Sequence, residues 1–286
     1  MPFFLDNFVG GLGNQLFSIL TVYSLARKYN TSFIINQSKD IINSSVGDFK
    51  IPIYLETVFS ELIKCSKDFN DIIYSSIIKV SISQFEDYKL PESINPDTCL
   101  IIITGLPMKY SLFSNYIDEI KDIMYRQKNK YIPDIIKDHK IRKIGIMFRT
   151  YIQEKNNSWM TTDDYYIKAI EFILEQYNDK YTLEFHVYTD EAGVTESIIK
   201  PIINKLNLTV NTKEYVGVRD NKTDVEHLFA MFDLDDYILC NSTYHYWPAL
   251  LSRYTDDKLV TFPSYTKDGK DMLWFNHIIA PDWVKL

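Results

Sequence analysis

Short apolar segments alternate with segments of helical periodicity along this chain, and this alternation limits its fold more than any other feature. In the second half, the apolar segments are rich in β-branched and aromatic residues, as in buried strands: 144–148, 183–189, 237–240 and 259–262. Helical patterns occur at 163–177, 191–206, 223–232 and 244–254. Such a β-α-β-α succession predicts an α/β protein with parallel strands and helices on both faces of the sheet.

The first half follows the same succession less regularly. Apolar runs at 3–9, 32–36 and 99–104 predict strands, and the patterns at 14–29 and 112–124 predict helices, the first of them amphipathic. Residues 37–48 are polar and rich in turn formers, which predicts a loop. A lysine-rich segment interrupted by Pro133 follows at 126–143. It favours a domain junction, so we expect an N-terminal domain at 1–140 and a C-terminal domain at 141–286.

A glycine-rich turn at residues 10–17 (GGLGNQLF) joins the first predicted strand to the first helix. Glycines permit a sharp turn, and the N–H groups at the start of a helix suit an anionic ligand. The spacing is not that of a dinucleotide site, because Leu16 stands where the third glycine would be, and no Gly-Lys-Ser/Thr follows as in nucleotide hydrolases. The residues alone are consistent with either a structural turn or a ligand-binding loop.

Composition and charge exclude some classes of function. The chain has 286 residues, 46% of them hydrophobic and 24% charged, as in globular proteins. Its net charge of −7 argues against a general nucleic-acid binder, which needs a basic surface. We expect no membrane span and no signal peptide, since neither pattern is found. The three separated cysteines, Cys65, Cys99 and Cys240, favour a reducing compartment, so the expected location is the cytoplasm or another soluble intracellular compartment.

Polar residues follow several predicted strands of the second half. Arg149 follows the strand at 144–148, Asp190 follows that at 183–189, and Asn241, Ser242 and Thr243 follow that at 237–240. Ligands of open α/β sheets bind beyond the carboxyl ends of the strands, so we expect these side chains to converge on one crevice. If the first half is a separate domain, its glycine-rich turn would face them across a cleft.

Five segments, in this order, resemble the α-1,2-fucosyltransferase family. They are 10–17 (GGLGNQLF), 163–170 (DDYYIKAI), 185–191 (FHVYTDE), 228–251 (LFAMFDLDDYILCNSTYHYWPALL) and 281–283 (PDW). The resemblance implies a GT-B architecture, with two Rossmann-like domains facing each other across a cleft. It also implies an inverting transfer of fucose from GDP-fucose to a glycan hydroxyl, without a metal or other cofactor. Nucleotide sugar and glycan are the expected partners, and the oligomeric state stays open.

The chain departs from the family pattern at several positions. In the donor-phosphate motif, here IMFRTYI, Arg149 is kept, whereas Met147 replaces a histidine, Thr150 an arginine and Ile152 an aspartate. Further differences are His227 at an acidic position with Glu226 beside it, Tyr246 for a tryptophan and His245 for a serine. These departures leave open a different nucleotide sugar, or an inactive relative that binds a glycan or nucleotide. A dehydrogenase is disfavoured, because no acid directly follows the second strand to hold a ribose.

Given the resemblance, Arg149 is expected to bind the donor diphosphate and to stabilise the leaving group, rather than to form only a surface ion pair. Donor contacts are also expected from Glu226 and from Asn241, Ser242 and Thr243, although the last three are equally consistent with helix capping. Asp190 would accept from the ribose or base, or would stabilise a turn.

The N-terminal domain and the catalytic base are less constrained by the sequence. Gly11, Gly13, Asn14 and Gln15 would line the cleft. His245 and Glu154 are candidate proton acceptors, although a histidine beside aromatic residues is more often structural. Residues 233–235 (DLD) are interpreted as solvated acids at a helix end rather than as a metal motif, so no metal ligands are expected.

Overall fold

The structure is a computed structural model and describes residues 2–36, 41–43, 50–64, 76–82, 99–133, 138–152, 155, 157–177, 180–217, 222–252, 257–272 and 275–286. The chain divides into two compact units. The first comprises residues 1–130 and 274–279, and the second comprises 131–273 and 280–286. The division therefore lies at 130/131 rather than at the expected 140, and a short C-terminal segment belongs to the first unit. Among the described residues, no helix combines the length and the apolar character needed to cross a bilayer.

The first unit contains a parallel sheet. Its elements, in chain order, are β1 (Phe3–Leu5), α1 (Leu12–Lys28), β2 (Phe33–Ile35), β3 (Ile41–Asn43), β4 (Lys50–Pro52), α2 (Ser60–Ile63), β5 (Ser76–Ile82), β6 (Cys99–Gly105) and α3 (Ile117–Tyr131). Four strands form the sheet in the order β2-β1-β6-β5, all parallel, while β3 and β4 pair antiparallel. The loop predicted at 37–48 is thus wrong at β3, and the rest of that segment lies outside the described residues. β5 was not predicted.

Helix α1 is buried on all sides, so the prediction of an amphipathic helix is wrong. Its polar residues Gln15, Ser18, Thr21 and Ser24 are as fully buried as its leucines. The Ser18 hydroxyl bonds back to its own helix by donating to the carbonyl of Asn14 at 3.3 Å, whereas the hydroxyls of Thr21 and Ser24 are buried without a partner among the described residues. A polar stripe at helical spacing therefore need not face water.

The second unit contains a six-stranded parallel sheet. Its elements are β7 (Ile141–Phe148), α4 (Asp163–Tyr177), β8 (Thr182–Thr189), α5 (Lys200–Lys205), β9 (Asn211–Val216), α6 (Thr223–Ala230), β10 (Asp236–Ile238), α7 (Thr243–Leu251), β11 (Val260–Phe262) and β12 (Val284–Lys285), with α8 (Phe275–Ile278) in the first unit. The strand order is β12-β11-β10-β7-β8-β9. Successive strands thus run outward from β7 in one direction and then outward from β10 in the other, which is the dinucleotide-fold order. The α/β class with parallel sheets is confirmed, although β9 and β12 were not predicted.

Each face of this sheet has its own packing. On one face, Ile144, Ile146 and Phe148 of β7 pack with the apolar side of α4. The first turn of α4 is capped by Thr162, whose hydroxyl accepts from the N–H of Tyr165 at 3.3 Å. On the other face, Met147 pairs in register with Tyr188 of β8. Strand residues alternate between faces, so Arg149 follows on the same side as Met147.

A buried ion pair fixes the amino edge of the second sheet. Arg142 at the start of β7 donates to both carboxylate oxygens of Asp236 at the start of β10, at 2.7 and 2.9 Å. The same carboxylate accepts from the hydroxyl of Tyr177 at 2.7 Å and from the N–H of Leu259 at 2.8 Å. Two central strands are thereby fixed at the edge opposite to the one from which Arg149 projects.

Candidate functional site

The order of the second sheet reverses between β7 and β10, and this reversal defines a crevice at the carboxyl edge. Arg149 directly follows β7, and the turn of residues 239–242 leads from β10 into α7. Ligands of open α/β sheets bind at such reversals, because the connections on either side leave in opposite directions.

Asp190, at the end of β8, holds the segment that follows β7. Its carboxylate accepts from the N–H of Thr150 at 2.7 Å, from the hydroxyl of Thr150 at 3.0 Å and from the N–H of Tyr151 at 3.3 Å. These bonds occupy both carboxylate oxygens. Of the two roles considered from the sequence, they favour the stabilisation of a turn over the binding of a ribose.

Arg149 lies above the ring of Tyr151, and that ring is bonded to the turn just before α7. Its guanidinium carbon is 4.7 Å from the ring centroid of Tyr151, and its Nε is 4.0 Å from Oδ2 of Asp190. The side chain is 21% exposed. Burial, and then the positive charge of Arg149, lower the pKa of His245 to about 3. The ring of Tyr151 links Arg149 to the turn before α7, because the Tyr151 hydroxyl donates to the carbonyl of Asn241.

Ser242 is the N-cap residue of α7 and is almost fully buried, at 4% exposure. Its hydroxyl makes no capping bond, and Oγ has no hydrogen-bond partner among the described residues. An unpaired buried hydroxyl is unfavourable, and the first N–H groups of a helix carry partial positive charge. This helix start therefore suits an anion, and Thr243, the first residue of α7, belongs to it.

Asn241 stabilises the turn before Ser242. Its Nδ2 donates to the carbonyl of Trp159 at 3.0 Å, and its N–H donates to the hydroxyl of Thr161 at 3.3 Å. The carbonyl of Asn241 accepts from the hydroxyl of Tyr151. The structure thus brings Arg149, Asp190 and the turn of Asn241 and Ser242 together around Tyr151. Tyr151, which joins them, was not predicted, because an aromatic residue in that segment is not a donor-binding signal.

The environment of His245 argues against a role as proton acceptor. The imidazole is buried, and its Nδ1 lies 3.2 Å from Sγ of Cys240. Burial raises the pKa of the Cys240 thiol, so the thiol stays protonated and can donate to the ring. With a pKa of about 3, the ring is neutral near pH 7 and is already paired inside the core. The other candidate base, Glu154, lies outside the described residues.

Glu226 is not part of this group. Its side chain is exposed on α6, and the contacts found in the described part of the chain do not join it to Arg149, Asp190 or Ser242. Its neighbour His227 instead contacts the rings of Tyr188 and Tyr215 edge-on, with centroid distances of 5.9 Å to each. Where the family pattern has an acidic residue, this chain therefore has a histidine that packs against two tyrosine rings.

In the first unit, the glycine-rich turn is stabilised from within. Gln15 is buried, and its Nε2 donates to the carbonyl of Gly10 at 3.1 Å and to that of Pro52 at 2.8 Å. Gly10 has φ +70°, and a Cβ there would approach Nδ2 of Asn14 to 2.4 Å. Gly11 is the exposed N-cap of α1 in an extended conformation. Gly13 is buried and Asn14 half-buried, so Gly11 and Asn14 are the accessible members of the predicted set.

Residues 233–235 are half-buried or buried, so the interpretation as solvated acids is wrong. Oδ2 of Asp235 accepts from the N–H of Lys143 at 2.9 Å, which places it at the amino edge of the sheet, away from Arg149. Within the described ranges, no cluster of three or more histidine, cysteine or acidic residues has the arrangement of a metal site. The Asp-x-Asp pattern here supports β7 instead.

Comparisons with known proteins give matches only among solved structures. No protein-family model matches the chain, and no curated protein matches it. The chain is similar to the fucosyltransferase NodZ from Bradyrhizobium at 8% identity and a TM-score of 0.40, covering 87% of this chain and 92% of that one. It is also similar to a mutant of Arabidopsis thaliana FUT1 in complex with GDP, at 13% identity and a TM-score of 0.45, covering 92% of this chain and 70% of that one.

NodZ is a fucosyltransferase. A further NodZ structure, described as an alpha-1,6-fucosyltransferase soaked with GDP-fucose, matches at 9% identity and a TM-score of 0.40, covering 87% of this chain and 92% of that one. Likeness at this level carries no weight for the chemistry of the present chain.

Proposed function

We propose that this chain is an inverting glycosyltransferase that moves fucose from GDP-fucose to a glycan hydroxyl, with the donor bound by the second unit and much of the acceptor by the first. One observation carries the proposal. At the reversal of strand order, Arg149 lies over Tyr151, whose hydroxyl donates to the carbonyl just before the start of α7, and the N-cap hydroxyl there, on Ser242, is buried without a partner among the described residues. A cation, a hydroxyl donor and a helix N-terminus together fit a diphosphate.

The residues at this edge match what the reaction needs. The acceptor oxygen forms a bond to the anomeric carbon, the bond from that carbon to the β-phosphate oxygen breaks, and GDP leaves with the electron pair. The hydroxyl proton passes to a base that we do not assign. Arg149 would neutralise the charge that grows on the leaving diphosphate, with a charge-assisted hydrogen bond worth about 1.5–3 kcal/mol. Ser242 and the N–H groups that begin α7 would bind the same phosphates.

Two alternatives keep specific support. Thr150 and Met147 supply no second cation, because neither side chain carries a charge; the Thr150 hydroxyl donates to Asp190 and Met147 is fully buried. This favours testing other nucleotide sugars as donors, which a donor-hydrolysis panel would distinguish. The second alternative is an inactive relative, because the candidate base His245 is buried and already paired with Cys240; calorimetry would then detect GDP binding without transfer to any glycan.

The test is a thermal-shift panel of nucleoside diphosphates and nucleotide sugars. A ligand present at about 100 times its Kd stabilises the folded state by about 2.7 kcal/mol. For a unit of this size, about 2–4 °C per kcal/mol is expected, so GDP should raise Tm by about 5–10 °C. Arg149→Ala should lose most of this shift.

Arg126→Ala is the matched control, because Arg126 is 60% exposed and lies in the first unit. It should keep the shift. Equal shifts with every nucleotide, or no shift with either protein, would contradict the proposal.

A further inference from the structure

Tyr151 has an unusual backbone conformation for a bulky residue. Its φ is +56°, in the left-handed region that favours glycine. A side chain in this region is retained only where its surroundings hold it. Here, the N–H of Tyr151 donates to Asp190 and the ring is buried. The unfavourable conformation places the ring between the end of β7 and the turn after β10.

The ring has contacts on several sides. The Arg149 guanidinium lies over it at 4.7 Å from the centroid, as in cation–π pairs. The hydroxyl donates to the carbonyl of Asn241, the residue before the N-cap of α7. Trp159 meets the ring edge-on at a centroid distance of 5.6 Å. One side chain thus connects the cation of the site to the turn that begins α7.

We infer that Tyr151 is a positioning residue, which holds the Arg149 guanidinium at the start of α7 so that both can bind the same diphosphate. The inference rests on the proposed phosphate role of Arg149. The ring supplies the surface that orients the guanidinium, and the hydroxyl fixes the ring to the β10–α7 turn. Asp190 supports the arrangement by holding the backbone of Thr150 and Tyr151.

A double-mutant cycle measured by calorimetry with GDP tests the coupling. Tyr151→Leu removes the ring and should weaken GDP binding by about 5-fold or more, within the range for residues in contact. In an Arg149→Ala background, the same change should cost less than about 2-fold, because the group that the ring orients is gone. Tyr151→Phe keeps the ring and should restore most of the affinity.

Tyr237→Phe is the matched control. It also removes a buried tyrosine hydroxyl that donates to a carbonyl, that of Met231 at 2.6 Å, but it lies at the amino edge of the sheet. Its GDP affinity should equal that of the wild type. Equal losses for Tyr151→Leu with and without Arg149 would overturn the positioning role.

A second measurement does not depend on nucleotide binding. In the ligand-free protein, the Nε–Hε NMR resonance of Arg149 should show an upfield ring-current shift that Tyr151→Phe keeps and Tyr151→Leu loses. An unshifted resonance in the wild type would overturn the inference. A shifted resonance together with no GDP binding by any variant would establish the position of the guanidinium and refute the proposed function instead.

Discussion

Ser242→Ala is expected to change stability and ligand binding in opposite directions. Replacing an N-cap serine by alanine usually costs about 0.5–2 kcal/mol, because the helix loses a capping bond. The Ser242 side chain makes no such bond, and its buried Oγ has no partner among the described residues. Leaving a hydroxyl in that state costs about 1–3 kcal/mol. Removing it should therefore leave the free energy of unfolding unchanged or raise it by up to about 1 kcal/mol.

GDP binding should respond the other way. If the Ser242 hydroxyl donates to a phosphate oxygen, the alanine variant loses a hydrogen bond to a charged group, worth about 1.5–3 kcal/mol. That loss corresponds to an affinity about 10- to 150-fold lower, since 1.4 kcal/mol is a factor of ten. Urea denaturation without ligand measures the first effect, and calorimetry with GDP measures the second.

Thr162→Ala is the matched control for this experiment. Thr162 does cap a helix of the same unit, because its hydroxyl accepts from the N–H of Tyr165 at 3.3 Å. It should lose about 1 kcal/mol of stability and keep its GDP affinity. If Ser242→Ala destabilises the protein as much as Thr162→Ala, or leaves GDP affinity unchanged, the reasoning about the α7 start is refuted.

Three further predictions concern stability. Asp236→Ala should lower the free energy of unfolding by about 3–5 kcal/mol in urea, because, in the described part of the chain, the buried Arg142 keeps only its ion pair with the half-exposed Asp257, and the Tyr177 hydroxyl and the Leu259 N–H lose their Asp236 acceptor; a loss below about 1 kcal/mol would contradict this. Burial, and then the charge of Arg149, lower the pKa of His245 to about 3. The His245 ring therefore stays neutral in the folded protein, whereas in the unfolded chain it takes up a proton below its ordinary pKa near 6.5. Stability should therefore fall from pH 6.5 towards pH 3 by up to about 1.4 kcal/mol per pH unit, and His245→Gln should flatten that slope in pH-dependent urea titrations. Gly10→Ala should cost about 1–3 kcal/mol in thermal unfolding through its φ of +70°, whereas Gly11→Ala, with no atom within 4 Å of the added Cβ, should be tolerated.

Some parts of the fold could not be predicted because their signals are tertiary. β9 is an edge strand whose side chains are partly exposed, so it lacks the apolar run that marked β8. β12 has two residues and forms only by pairing with β11. Helix α1 misled the sequence argument for the opposite reason, since its hydroxyl-bearing positions are buried rather than exposed. Periodicity reports the average environment of a residue type, and neighbours decide the actual one.

For the candidate site, the sequence predicted which polar residues follow the strand ends, and the fold shows what surrounds each of them. Arg149, Asp190 and Ser242 all lie where the strand pattern placed them. However, the distinction between a ligand-binding carboxylate and one that holds a turn depends on what surrounds Asp190, and those partners lie 39 or 40 residues away. The role of Tyr151 could not be predicted from the sequence. Its left-handed backbone and its contact with Arg149 depend on the segments that follow β7, β8 and β10, which meet only in the folded protein.

The sequence by itself determined the succession of strands and helices, the parallel sheets and the polar residues at the strand ends, because these follow from local hydrophobic patterning and chain connectivity. Only the tertiary structure decided the strand order, the reversal between β7 and β10, and the burial of Ser242 and His245. Those features depend on contacts between segments that are distant in the chain. The identity of a residue limits what it can bind, and its packed surroundings decide whether that capacity is already used.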